Sequence, residues 1–353
     1  MAVTPRAALA ALPTYVPGRN VDGAVKLASN ETSYPILPAV AARIAEVAAA
    51  AANRYPDAAQ TALQKALAAK FGLGPEHVLV GCGSVALCQQ AVQAVADAGD
   101  EVLFPWRSFE AYPIVAGIAG AVPVRVPIRA DQSFDLDALS AAVTGRTRVV
   151  FVCVPNNPTS TVVHRGELAG FLDSVRDDVL VVLDEAYREF VTDPGVPDGR
   201  EFLDRANVLV LRTFSKAYGL AGLRVGYGFA ADPVIAAAIR KTQIPFAVSQ
   251  LAQEAALACL EPATEKELFE RVVEVVTERS RVLAELARLG YAPAPSEANF
   301  VWLPLAEGSA AFSDHCEQHG VIVRAFAGDG ARVTIGTAEE NRRFLAAASS
   351  FHR

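Results

Sequence analysis

Cysteine and histidine are scarce in this chain of 353 residues, five of each, and neither is arranged as a ligand framework. An odd number of cysteines without close metal-type spacing argues against a disulfide scaffold and for reduced thiols in a cytoplasmic setting. Cys82, inside a glycine turn, reads as a small packing residue. His315 and His319 stand at i,i+4 around Cys316, but no carboxylate or thiol ligand set accompanies them, so an exposed helix face is expected rather than zinc. Long apolar runs are also missing. The alanine-rich stretch 39–52 contains Arg43 and Glu46 and is too short to span a bilayer, which makes it a soluble helix. The segment from Ala7 to Leu12 is too short for a signal-peptide core and runs into Pro13, so no targeting segment is expected. There is no internal repeat and no low-complexity tail. Positive charge is in deficit, 32 Lys and Arg against 39 Asp and Glu, for a net charge of -7. That balance disfavours nucleic acid and anionic membrane as partners. It does not exclude small anionic substrates, since local arginines decide that.

What is present describes an ordinary globular protein, 52% hydrophobic and 20% charged, long enough for two domains or one large one. Residues 1–28 form an arm rich in Pro and Gly. Helices are expected near 38–53 and 60–71, the second closed by Gly72. Apolar strand candidates recur near 78, 102, 123, 150, 180, 209 and 226, separated by helical stretches. This alternation predicts an α/β fold, a mostly parallel sheet of about seven strands with helices on both faces. A long helical region follows to about 289, then a smaller α+β unit holding Asn299–Leu303 and Arg332–Gly336. The expected domains are therefore 29–245 and 246–353.

Chemistry gathers where the strands end. The run Val208–Leu211 leads into Thr213, Ser215, Lys216, a glycine-studded turn and Arg224. A lysine among apolar and small residues loses its proton readily and can form a Schiff base with an aldehyde. Hydroxyls and a guanidinium beside it suit a phosphate dianion. An aldehyde that also carries a phosphate is pyridoxal phosphate; the plainer alternative is a surface lysine next to a capping glycine. A second run, Val179–Leu183, ends in Asp184-Glu185-Ala186-Tyr187. A buried acid needs a cationic partner, which a protonated pyridine nitrogen supplies, unless Asp184 merely caps the next helix. Tyr187 could donate to the ring's phenolic oxygen, with Asn157, from the turn after Val149–Val154, opposite it. Turn chemistry alone also explains that asparagine. A fourth strand enters Gly81-Cys82-Gly83-Ser84-Val85, where free backbone N–H groups and a helix dipole make an anion site. All four segments sit at carboxyl ends of strands, where open α/β sheets bind ligands.

Together these segments resemble the fold-type I pyridoxal-phosphate aminotransferases, with an aspartate-aminotransferase-like fold, specifically the histidinol-phosphate aminotransferase-like branch. The likeness runs from about Leu12 to the end. Its motifs are Leu27-Ala28-Ser29-Asn30-Glu31, Arg54-Tyr55-Pro56-Asp57, Asn157-Pro158-Thr159, Asp184-Glu185-Ala186-Tyr187, the lysine segment and Arg332–Thr337. The resemblance implies Lys216 as Schiff-base residue and proton shuttle, Asp184 on the pyridine nitrogen, and Asn157 and Tyr187 on the phenolic oxygen. It implies Gly83, Ser84, Val85, Thr213, Ser215 and Arg224 around the phosphate and Phe109 over the ring. Tyr55 would reach the neighbouring subunit's phosphate, giving a homodimer with shared sites. Arg332 would bind the substrate α-carboxylate, with Arg324, Tyr15, Asn30 and Asn157 on the same side.

Several positions depart from the histidinol-phosphate pattern. Val85 and Ala86 replace the usual acidic residues, Ser160 replaces a glycine, Pro35 stands near Tyr34, and the segment Pro105–Tyr112 is unusually aromatic. Tyr15, Val16, Tyr34, Trp106 and Phe109 offer apolar walls, although each could equally belong to the core. The resemblance is thus nearest to the phenylalanine or aromatic-amino-acid aminotransferases, acting in two half-reactions between an amino acid and 2-oxoglutarate. Histidinol phosphate is the alternative substrate, and a pyridoxal-phosphate decarboxylase of related fold would share Lys216, Asp184 and Asn157.

Overall fold

The computed structural model describes residues 3–10, 12 and 21–352. After a short helix α1 (Ala7–Ala10) come strand β1 (Val25–Lys26) and helices α2 (Pro38–Ala51) and α3 (Thr61–Phe71). Gly72 closes α3 with φ 69°, the left-handed conformation expected of a C-terminal glycine. A strand–helix alternation follows: β2 (Val78–Gly81), α4 (Ser84–Val95), β3 (Glu101–Trp106), α5 (Ala111–Ala119), β4 (Val122–Pro127), α6 (Leu136–Ala141), β5 (Thr147–Cys153), α7 (Arg165–Ser174), β6 (Leu180–Asp184), β7 (Val208–Thr213), β8 (Gly226–Ala230) and α8 (Pro233–Lys241). The chain finishes with α9 (Gln250–Cys259), α10 (Pro262–Arg288), β9 (Phe300–Leu303), α11 (Ser309–Gln318), β10 (Val321–Ile322), β11 (Arg324–Phe326), β12 (Gly330–Thr334) and α12 (Ala338–Ser349).

All seven expected strands, β2 to β8, join one sheet in the order β2-β8-β7-β6-β5-β3-β4. Only β8 runs against its neighbours, so the other six strands end at the same edge. The apolar runs of β2, β3, β5, β6 and β7 are continuous because both faces are covered, whereas the edge strand β4 is largely exposed or half-buried. Val181, Leu183, Val208 and Val210 face a core closed by α2, α3, α7 and α9. Leu180, Val182, Leu209 and Leu211 face the opposite core, closed by α4, α5 and α8. Period-two alternation carries on past the strand, so Asp184 lies on the second face and Glu185 on the first. There Arg212 sends Nε and Nη2 to Glu185 Oε2 at 3.0 and 2.7 Å, and Nη2 also meets Asp198 Oδ1 at 2.7 Å.

The smaller unit holds an antiparallel sheet β11-β12-β9 and a parallel pair β1-β10. Its core takes in Leu27, Phe300, Val333 and the inner face of α10. The packing departs from the expected division of the chain in two places. Val25 and Lys26, read as part of the arm, pair with Val321 and Ile322 of the small unit. In the other direction, Val248, Ala252, Ala255, Cys259 and Leu268 bury into the large core. Since burial and not position along the chain assigns a segment to a unit, we place the boundary within α10 rather than near 245. Among the described residues no helix is long and apolar enough to cross a membrane. The His315 and His319 rings lie 4.2 Å apart and tilted by 35°, with His315 Nε2 facing the Ala347 carbonyl at 3.1 Å.

Candidate active site

A cavity of about 530 Å³ opens at the carboxyl edge of the large sheet and is closed from above by the small unit. It gathers Ser84, Val85, Phe109, Asn157, Asp184, Tyr187, Thr213, Ser215, Lys216 and Arg224, together with Asn30, Arg324 and Arg332. These residues come from segments far apart in the chain, each delivered by the end of a strand or the turn that follows it.

One end of the cavity is built for an anion. Gly83 precedes α4 at φ 77°, a conformation that exposes the first N–H groups of a 12-residue helix. A Cβ on Gly83 would collide with the Arg224 guanidinium, and one on Gly226 with the Ser84 amide, so two glycines let backbone and cation approach each other. Arg224 Nη1 donates to Ser215 Oγ at 3.2 Å, and the Ser215 amide donates to Thr213 Oγ1 at 3.1 Å. Hydroxyls, free amides and one arginine therefore converge there.

The other end holds a buried acid. Asp184 is 2% exposed. Its Oδ2 accepts the Tyr112 hydroxyl at 2.7 Å, whereas Oδ1 takes no hydrogen bond among the described residues. Burial pushes the Asp184 pKa up to about 6, and the Tyr112 hydrogen bond opposes that rise. A buried carboxylate oxygen without a partner is costly unless a ligand supplies one. Tyr187 is packed edge-on against Phe300 at 5.0 Å, and its hydroxyl accepts from Asn30 Nδ2 at 2.9 Å.

Lys216 lines the same cavity. Its Nζ donates to the Ser29 carbonyl at 3.3 Å and stands 5.8 Å from the centre of the Tyr187 ring. Burial, seconded by the positive charge of Arg332, lowers its pKa to about 7. Burial therefore favours the neutral amine, the state a nucleophile needs. An aldehyde joined to a protonable ring nitrogen and a phosphate ester would meet Lys216, Asp184 Oδ1 and the anion cradle in turn, so the residues fit pyridoxal phosphate.

The small unit supplies the remaining wall. Arg324 and Arg332 are cross-strand partners in β11 and β12. Arg332 Nη1 donates to Asn157 Oδ1 at 2.5 Å and Nη2 to the Ala28 carbonyl at 2.7 Å. Arg324 Nη2 donates to Glu110 Oε2 at 3.1 Å. Phe109, Ile114, Ile118 and Phe326 complete an apolar surface beside them.

Some expected residues lie elsewhere. Tyr55 is 83% exposed and stacks on Phe246 at 4.6 Å, away from this cavity. Trp106 is not a wall of the cavity; its indole is held between Arg107 and Arg125, 4.5 and 4.8 Å from the ring centre. Tyr34 packs on the core of the small unit instead. Cations and core apolar groups, not the cavity, satisfy these two rings. Tyr15 and Val16 lie outside the described residues. Conversely, Tyr112, Glu110 and Phe326 were not singled out from sequence. Tyr112 and Glu110 belong to the aromatic segment that opens α5, but their partners are 72 and 214 residues away, and no local pattern announces such contacts.

A family model described as aminotransferase class I and II matches residues 22–347. The chain is 55% identical over 353 residues to a Streptomyces coelicolor protein named aromatic amino acid aminotransferase, covering 99% of this chain and 97% of that one. A Thermobifida fusca protein of the same name is 54% identical, with 98% and 96% covered. Among solved structures, histidinol-phosphate aminotransferase from Sinorhizobium meliloti in complex with pyridoxal-5'-phosphate superposes with a TM-score of 0.87 at 29% identity. That match covers 97% of this chain and 96% of the other.

Proposed function

This chain belongs to the class I and II aminotransferase family, and from that premise we propose that it transfers the amino group of phenylalanine or tyrosine to 2-oxoglutarate, with pyridoxal 5'-phosphate as resident cofactor. The cofactor, when bound, supplies an aldehyde carbon and a ring that accepts electrons while its nitrogen is protonated. Ser84, Thr213, Ser215, Arg224 and the amides at Gly83–Val85 hold its phosphate; Asp184 holds its ring nitrogen, Asn157 and Tyr187 its phenolic oxygen, and Phe109 covers the ring. Lys216 would anchor it, and its free Nζ would move the substrate's α-proton as general acid and base. Arg332 orients the α-carboxylate, assisted by Asn30.

The observation that carries the aromatic reading is the Arg324–Glu110 pair beside an apolar wall. A phosphate dianion on the substrate side chain would need an uncompensated cation there. Glu110 neutralises Arg324, which leaves Phe109, Ile114, Ile118 and Phe326 to receive a ring. The distal carboxylate of 2-oxoglutarate carries one negative charge rather than two, so it meets less repulsion from Glu110 when it shares Arg324. Two relatives above 50% identity bear an aromatic aminotransferase name, which supports the same substrate class. Histidinol phosphate, the substrate named for the S. meliloti structure, is the runner-up because two arginines face the cavity.

Side-by-side kcat/KM values with 2-oxoglutarate as acceptor test this reading. Phenylalanine and tyrosine are expected to lead histidinol phosphate by about 10- to 200-fold, the discrimination an apolar pocket provides. A lead of about tenfold for histidinol phosphate would transfer the assignment to the runner-up.

The active unit proposed is a homodimer. Tyr55, Ile244 and Phe246 form an exposed apolar rim, and Tyr55 from one subunit would complete the phosphate cradle of the other. Buried thiols at Cys88, Cys153, Cys259 and Cys316, each pushed up in pKa by burial, suit a reducing cytoplasm.

A further inference from the structure

Behind the cavity, and not lining it, stands Tyr112 at the start of α5. Its side chain is fully buried and lies flat against Phe151, with ring centres 4.4 Å apart and planes 8° from parallel. Phe109 meets its ring edge-on at 5.5 Å. The hydroxyl reaches Asp184 Oδ2 at 2.7 Å. Period-two alternation in β6 turns Asp184 toward the same sheet face that α5 covers, so the contact follows from the fold.

We propose that Tyr112 is a positioning residue which holds Asp184 ionised and leaves Oδ1 as the one oxygen free for the cofactor's ring nitrogen. Two effects follow from a single donor. The packed ring prevents the phenol from turning away, so the carboxylate is locked about its own axis with Oδ1 toward the cavity. A hydrogen bond to one oxygen also stabilises the anion and lowers its proton affinity. The proton shared between carboxylate and pyridine therefore resides on the ring, where it is needed to make the ring an electron sink. The same donor holds the Asp184 pKa below where burial alone would drive it. Phe109, set edge-on against Tyr112, links the cover of the ring to the same support.

This inference rests on the cofactor reading but not on the choice of substrate, and its test contains no amino acid. Cofactor-free wild-type protein and Tyr112→Phe are titrated with pyridoxal phosphate and with its 1-deaza analogue, in which carbon replaces the ring nitrogen. The variant is expected to bind pyridoxal phosphate about tenfold more weakly, as expected for loss of a hydrogen bond to a charged group, while its affinity for the analogue stays within about twofold of wild type. In ¹⁵N-labelled bound cofactor, the ring-nitrogen resonance should move from the pyridinium toward the neutral-pyridine position. Equal losses for both ligands, or no loss, with an unmoved resonance would show Tyr112 to be packing alone and overturn the proposal. Wild-type protein that binds neither ligand would overturn it together with the cofactor reading. Should Tyr112→Phe not fold, a ring-fluorinated tyrosine at position 112 is a stronger donor of similar size. It must then move the resonance further toward pyridinium, and a resonance that stays put or moves the other way refutes the role.

Discussion

Arg324 and Arg332 face each other directly across β11 and β12, an arrangement that costs stability because like charges on opposed positions repel. The protein offsets it with Glu110 on one guanidinium and with Asn157 and the Ala28 carbonyl on the other. Two cations in one cavity wall support the proposal that the carboxylates of the two substrates are met there.

The two arginines should separate in kinetics. Arg332→Gln removes the charged clamp on the α-carboxylate, so kcat/KM for phenylalanine should fall by about 10- to 150-fold, equivalent to losing about 1.5–3 kcal/mol of charge-assisted hydrogen bonding. Arg324→Gln should raise KM for 2-oxoglutarate far more than for phenylalanine. Equal effects of Arg324→Gln on both half-reactions would refute the division of labour.

Lys216 sets a pH expectation with a definite sign. Its folded pKa is depressed to about 7, so the neutral amine accumulates as pH rises through that value. Cofactor loading of the cofactor-free protein, followed by its visible absorbance, should accelerate between roughly pH 6 and 8 and then level off; an ordinary lysine would continue to gain up to about pH 10. Lys216→Ala should abolish turnover, and borohydride reduction with peptide mapping should label Lys216 in wild type. Label on another lysine would end that assignment.

The shared site can be read from mixed dimers. Lys216→Ala and Tyr55→Phe damage different subunits' contributions, so their heterodimer should contain one intact site. Randomly exchanged mixtures should approach about a quarter of wild-type activity, and confirmed heterodimers no more active than the better parent would exclude a cross-subunit role for Tyr55.

Arg212 provides a stability test away from the substrate. It is 4% exposed and bonded to Glu185 and Asp198 on the sheet face opposite Asp184. Arg212→Met should destabilise the protein by about 3–5 kcal/mol, since it leaves the buried Glu185 carboxylate without its cation while Asp198 keeps Arg200. The midpoint of urea unfolding of the cofactor-free protein measures this. A shift near zero would mean that the carboxylates take up protons or water at little cost.

Local pattern alone was enough for the architecture. Seven apolar runs bounded by turn residues located seven strands, because strands buried on both faces must be apolar throughout, while the edge strand β4 alternates Val122, Val124 and Val126 with other residues. The residues that follow those runs, Ser84, Asn157, Asp184, Lys216 and Arg224, were legible as a group because carboxyl ends of parallel strands converge on one edge, and they line one cavity. What the sequence could not decide was which side chains meet across the chain. Trp106 and Tyr34 had the composition of pocket walls, yet neighbouring charges and core gaps claimed them. Tyr112 was one more member of the aromatic segment Pro105–Tyr112, and only the docking of α5 on the face that carries Asp184 put its hydroxyl 2.7 Å from the carboxylate. The assignment of α9 and the start of α10 to the large core was likewise made by burial. Period and turn chemistry are local and written in the sequence, whereas the pairing of Tyr112 with Asp184 and of Glu110 with Arg324 depends on the three-dimensional register of packed elements.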